Sequence, residues 1–146
     1  MNDPIVLLVE DNPNDELLTI RALRKENIAN NIVVARDGQE ALDYLFGNGA
    51  YAGRDLSVLP QVMLLDLKLP KVSGLEVLAR VRADERLKAL PVVILTSSAM
   101  DRDIVDGYRL GANSYVQKSV SAEDFRQAVQ RLGLFWLLVN KVPSTF

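Results

Sequence analysis

Apolar positions along the chain follow two kinds of spacing. Five short runs, at residues 5–9, 32–35, 62–65, 92–95 and more weakly 115–116, have strand length. The first, third and fourth are continuous rather than alternating, which predicts strands buried on both faces. Between the runs the apolar residues take helical spacing. Leu17, Ile20 and Leu23 line one face, with Leu18 and Ala22 beside it; Leu42, Leu45 and Phe46 line a second. Leu75, Leu78 and Val81 form a third, Ile104, Val105 and Tyr108 a fourth, and Phe125, Val129 and Leu132 a fifth. Capping residues stand at the expected starts. Asn12 precedes Pro13, and Asp37–Glu40, Ser73–Glu76 and Ser121–Asp124 have capping-box spacing, of which only Ser73–Glu76 is the strict form. Strand and helix thus alternate five times, the pattern of an α/β parallel sheet with helices on both faces. Residues 47–60 hold three glycines and little periodicity, and read as a surface loop. The chain shows no internal repeat, low-complexity stretch or domain linker.

Composition narrows the chemistry. With 146 residues the chain fits one domain. It has no cysteine and no histidine, which removes disulfides, thiolate or imidazole metal sites, and serine–histidine catalysis. Carboxylates, hydroxyls, lysines and a hard metal ion remain. A net charge of −2 makes a nucleic-acid surface an unexpected default. Asp3, Glu10 and Asp11 surround the first apolar run, unlike a signal peptide. The longest apolar run, residues 134–139, falls well short of the roughly 20 residues of a membrane span, so no membrane association and a cytoplasmic location are expected.

The polar residues that matter lie just after the strands. The first strand runs into Glu10 and Asp11, the third into Asp66, the fourth into Thr96 and Ser97, and the fifth into Lys118. In an open parallel sheet these groups gather at the carboxyl edge, where such folds bind ligands. Three carboxylates at one edge repel unless neutralised. A divalent ion such as Mg2+ could do so, or the Lys118 ammonium could pair with Asp66. With a threonine hydroxyl and backbone N–H groups, the set suits phosphoryl transfer to a carboxylate. Each residue alone has a plainer reading, as helix-start acid, turn residue or solvated lysine. Their coincidence at four strand ends is what points to a site.

The segments Val9-Glu10-Asp11-Asn12, Leu65-Asp66-Leu67-Lys68-Leu69-Pro70, Leu95-Thr96-Ser97 and Tyr115-Val116-Gln117-Lys118 resemble the receiver domains of two-component response regulators. The likeness spans residues 5–132, with residues 133–146 as an apolar extension of the same single domain. Leu67-Lys68-Leu69-Pro70-Lys71 and the ending Leu132-Gly133-Leu134-Phe135-Trp136 are most similar to stand-alone regulators partnered with bacterial phytochromes. The resemblance implies a flavodoxin-like five-stranded sheet in the order 2-1-3-4-5 with five helices. It also implies that Asp66 is the phosphoacceptor. Asp11 and Asp66 would bind Mg2+ directly, Glu10 through water, and the backbone carbonyl of Lys68 would add a ligand. Thr96 and Lys118 would hold the phosphoryl group. Tyr115 matches the aromatic position that swings inward on activation, although an ordinary edge-strand aromatic would look the same.

Several points stay open on the sequence. The family usually has proline after the conserved lysine, often across a cis bond, whereas Ser119 follows Lys118 here. A trans bond and an altered loop are expected, because a non-proline cis bond costs about 2.5–4 kcal/mol. Lys68 is either a solvated loop lysine or a group that reaches over the phosphoryl and alters attack by water. The apolar residues 132–139 either fold back on the core or make a dimer contact with the fourth helix, fifth strand and fifth helix. In the dimer case Tyr108, Tyr115, Phe125, Phe135 and Trp136 would take part. Residues 141–146 are too few for a DNA-binding module, so no direct DNA contact is expected. A sensor histidine kinase, a phytochrome by the closer likeness, is the expected phosphoryl source. Two other readings compete. A haloacid-dehalogenase-type phosphatase would carry a second aspartate two residues after its nucleophile, where this chain has Lys68. A pseudo-receiver that never carries phosphate would not need the full set of Glu10, Asp11, Asp66, Thr96 and Lys118.

Overall fold

The computed structural model describes residues 5–25, 31–98, 100–118 and 121–133. The chain alternates β1 (Ile5–Val9), α1 (Pro13–Arg24), β2 (Asn31–Ala35), α2 (Gly38–Phe46), β3 (Val62–Leu65), α3 (Gly74–Ala83), β4 (Val92–Thr96), α4 (Asp101–Arg109), β5 (Ser114–Gln117) and α5 (Ala122–Gly133). The five strands form one parallel sheet in the order β2-β1-β3-β4-β5. This is the fold expected from the sequence.

The continuous apolar runs have the predicted role. Along β1, β3 and β4 alternate residues feed two separate cores. Leu7, Val9, Met63, Leu65, Val92 and Ile94 face Leu45 of α2 and Val77, Leu78 and Val81 of α3. Val6, Leu8, Val62, Leu64, Val93 and Leu95 face Ala22 and Leu23 of α1 and Val129 of α5. The outer strands β2 and β5 are less buried, which accounts for their weaker runs. The helix starts form as their capping residues predict. The side chains of Asn12, Asp37 and Ser73 accept from backbone N–H groups of the first turn, and Pro13 opens α1. The N–H of Asp124 donates to the Ser121 hydroxyl at 3.3 Å.

Two helical faces differ from the sequence reading. In α1 the buried residues are Thr19, Ala22 and Leu23, while Leu17 points outward. The Thr19 hydroxyl is buried because it donates to the Asp15 carbonyl, 2.7 Å away, which satisfies it within the helix. In α4 Gly107 is the buried residue, and Val105 and Tyr108 are each about half exposed. A Cβ on Gly107 would stand 2.7 Å from Ile94 Cδ1, so the bare glycine lets the helix lie close against β4 and turns the bulkier side chains out. Residues 47–60 contain a 3-10 turn at Gly49–Tyr51. Arg54 pins this segment: its guanidinium lies 4.0 Å from the Tyr44 ring centroid and donates to the carbonyls of Tyr44 and Val58 at 2.7 and 2.9 Å. No helix among the described residues is long and apolar enough to cross a membrane.

Candidate functional site

The ends of β1, β3, β4 and β5 converge at the carboxyl edge of the sheet. After β1, the Glu10 N–H donates to the Ala35 carbonyl of β2 at 2.9 Å. The chain then turns into the Asn12 cap of α1. Glu10 is left buried, at 1% exposure, and Asp11 exposed. After β3, the Asp66 N–H continues the ladder to the Val9 carbonyl at 3.1 Å, and the residue is 8% exposed. Thr96 ends β4 fully buried, and its carbonyl accepts from the Lys118 N–H at 2.6 Å. Backbone pairing therefore places all four groups before any side chain contributes.

The Lys118 ammonium occupies the centre. Its Nζ donates to Glu10 Oε1 at 2.6 Å, to Asp66 Oδ2 at 2.9 Å and to Asp15 Oδ2 at 2.9 Å. The pairing of Lys118 with Asp66 follows the sequence reading. The second and third partners do not, and Asp15 is absent from that reading altogether. Its only signal was an acid in the first turn of a helix, where an acid ordinarily complements the helix dipole. The second oxygens of Glu10 and Asp66 are also engaged. Glu10 Oε2 accepts from the Asn12 N–H at 3.2 Å, and Asp66 Oδ1 from the Lys68 N–H at 3.3 Å.

Charge is unevenly held. Burial pushes the Glu10 carboxyl up to about 7, against the downward pull of its bond to Lys118; the charge on Asp66 adds to the rise. Burial also pushes Asp66 upward. The charge and hydrogen bond of Lys118 outweigh it, helped by Thr96 and Glu10, and leave Asp66 below its ordinary value. Burial disfavours charge on Lys118, but the bonds to Glu10, Asp15 and Asp66 reverse this and raise it. With one cation among crowded acids, a proton is best kept on the most buried carboxyl.

Glu10, Asp11 and Asp66 can each offer an oxygen within 4.8 Å of the other two. All three donors are hard oxygens, the set that suits Mg2+ rather than a softer ion. The residues present thus fit a divalent hard cation. Lys68, exposed, lines the same loop. Tyr115 is half-buried at the other end of the site, and its hydroxyl donates to the Ser98 carbonyl at 2.9 Å. Tyr108 lies apart, on the outer side of α4. The side chain of Phe125, the residues Phe135 and Trp136, and the Lys118–Ser119 bond lie outside the described residues.

The sequence model of the response regulator receiver domain matches residues 6–130. The chain belongs to that family. Among curated proteins this receiver is 44% identical over 143 residues to the probable methanogenesis regulatory protein FilR2 of Methanothrix harundinacea, covering 97% of this chain and 90% of that one. Among solved structures it is 52% identical to the bacteriophytochrome response regulator AtBRR, with a TM-score of 0.76 and coverage of 97% and 100%. It is 39% identical to the phosphorylated cyanobacterial phytochrome response regulator RcpA, with a TM-score of 0.90 and coverage of 97% and 99%. The receiver's relatives thus include phytochrome response regulators, in line with the Leu67-Lys68-Leu69-Pro70-Lys71 stretch.

Proposed function

We propose that this receiver accepts a phosphoryl group on Asp66 from the phosphohistidine of a sensor histidine kinase. The observation that carries the reading is the position of Asp66, bonded at 2.9 Å to a buried lysine and within 4.8 Å of two further acids. An Asp66 oxygen would attack phosphorus in line, and the P–N bond to the kinase histidine would break as the new P–O bond forms. Glu10, Asp11 and Asp66, with the Lys68 carbonyl, would hold Mg2+, which offsets charge on the transferred group when bound. Lys118 and the Thr96 hydroxyl would take the oxygens of the phosphoryl. The low-lying Asp66 carboxyl is ionised and ready as a nucleophile at neutral pH.

The likeness to AtBRR and RcpA supports a phytochrome as the kinase. Lys68 in place of a second aspartate disfavours turnover of external phosphate esters, and the complete acid–hydroxyl–lysine set disfavours a pseudo-receiver. Incubation with acetyl phosphate and Mg2+, followed by intact-mass spectrometry, tests the assignment. One added phosphoryl group is expected, lost in Asp66→Asn. No addition under conditions that label another receiver would overturn it. The outward stripe of Val105 and Tyr108 on α4 with Met100 just before it, each about half exposed, supports pairing with a second copy as the output of the switch.

A further inference from the structure

Lys118 has three N–H hydrogens, and three carboxylates already use them. A phosphoryl group on Asp66 would bring new acceptor oxygens, so one of the three bonds must give way. The partners differ in what release would cost them. Glu10 is buried at 1% exposure, so no water can replace the ammonium as the donor to its Oε1. Asp66 carries the phosphoryl itself. The Asp15 side chain is 30% exposed and can exchange the ammonium for water.

Asp15 is also firmly seated. Its N–H donates to the Asn12 side chain at 3.1 Å, and its carbonyl accepts from the buried Thr19 hydroxyl at 2.7 Å. The carboxylate therefore extends from a fixed first turn of α1 toward the end of β5. Both Asp15 and Asp66 bond the same nitrogen, so their oxygens lie within about 6 Å of each other, near enough to interact as charges. Asp15 is not one of the three acids grouped for a cation.

Resting on the phosphoacceptor reading above, we propose that Asp15 is a positioning residue that restrains Lys118 before transfer and competes with the phosphoryl group for it afterwards. The Lys118–Asp15 bond is the one that opens when Asp66 is loaded. The strength of that bond sets how firmly the lysine engages the phosphoryl group.

The test is the affinity for trifluoroberyllate, a tetrahedral mimic of the phosphoryl group, at saturating Mg2+. Binding is followed by amide chemical shifts, and the Mg2+ affinity of each protein is measured separately. Asp15→Asn should bind the mimic more tightly than wild type, by roughly two- to five-fold, the scale of a partly exposed ion pair. Glu85→Gln, an equal charge change on an exposed residue that pairs with Lys88, should match wild type. A residue that merely ties α1 to β5 would, when lost, loosen the site and weaken binding. Equal or weaker binding by Asp15→Asn therefore overturns the proposal. Failure of wild type to bind the mimic at all would instead overturn the phosphoacceptor reading.

Discussion

Glu10 and Asp66 are two acids with opposite assignments, separated by environment alone. Both bond the same ammonium, yet Glu10 lies deeper and holds a proton that Asp66 gives up. Metal binding needs the Glu10 proton to leave. Titration of Mg2+ by calorimetry in buffers of different ionisation heat should show nearly one proton released at about pH 6 and little at about pH 8. Mg2+ affinity should accordingly rise across that window. The effect on folding has the opposite sign. Glu10 binds its proton more tightly in the folded chain, so its stabilising contribution is full below its ordinary value of 4.5 and is lost as pH rises through about 7. Without metal, stability should decline over that interval. Proton release that does not change between the two pH values would show that Glu10 is already ionised without metal.

The loop from Asp66 to α3 is the element on which the site depends. It is packed between two glycines at two helix starts. A Cβ on Gly38 would come 1.9 Å from the Val72 carbonyl oxygen, and one on Gly74 2.1 Å from the Asp66 carbonyl oxygen. Neither neighbour is a flexible side-chain end, so any methyl there must move backbone. Gly74→Ala should cost about 1–3 kcal/mol in urea unfolding, as overpacking does, and should also weaken Mg2+ binding by displacing Asp66. An alanine variant with unchanged stability would show that α3 can shift freely. The same scale shows what could be read in advance. Glu10, Asp11, Asp66, Thr96 and Lys118 were legible because a parallel sheet sends every strand end to one edge. Asp15 was not, because its role depends on where the first turn of α1 lies relative to β5. On α4 an outward Tyr108 was one of the sequence readings, but the exposure of Val105 was not legible, because the apolar spacing of Ile104, Val105 and Tyr108 is that of a buried face. In the structure Gly107 is the residue that faces β4, and Val105 and Tyr108 turn outward.

At the scale of the whole sheet, the two edges are built differently. Glu10, Asp11, Asp15 and Asp66 gather at the carboxyl edge of the sheet, while the guanidinium groups of Arg82 and Arg86 brace the other. Arg82 donates to the carbonyls of Gly111 and Leu90 at 2.9 and 2.7 Å and to Asn113 Oδ1 at 2.9 Å. Arg86 reaches the carbonyls of Leu45 and Leu56. Under the proposed function, the phosphoryl group would act at the acidic edge and on α4 beside it, away from these arginine bonds. Sedimentation velocity at tens of micromolar should therefore show stronger self-association with trifluoroberyllate and Mg2+ than without, and Val105→Asp should reduce it. A monomer under both conditions would remove the pairing proposed for this face.

The lysine at the centre of the site also has a consequence for synthesis. It lies 108, 103 and 52 positions along the chain from Glu10, Asp15 and Asp66. A chain leaving the ribosome presents Glu10, Asp15 and Asp66 long before their shared cation emerges. Until β5 docks, the acids that later share one ammonium oppose closure of the edge they stand on, and the earlier strands assemble against that repulsion. Arrival of the last strand removes it in one step. A nascent chain stopped short of Lys118 would thus have the strands and the acids of the site but not its cation. Competence to be phosphorylated would report that translation had passed β5.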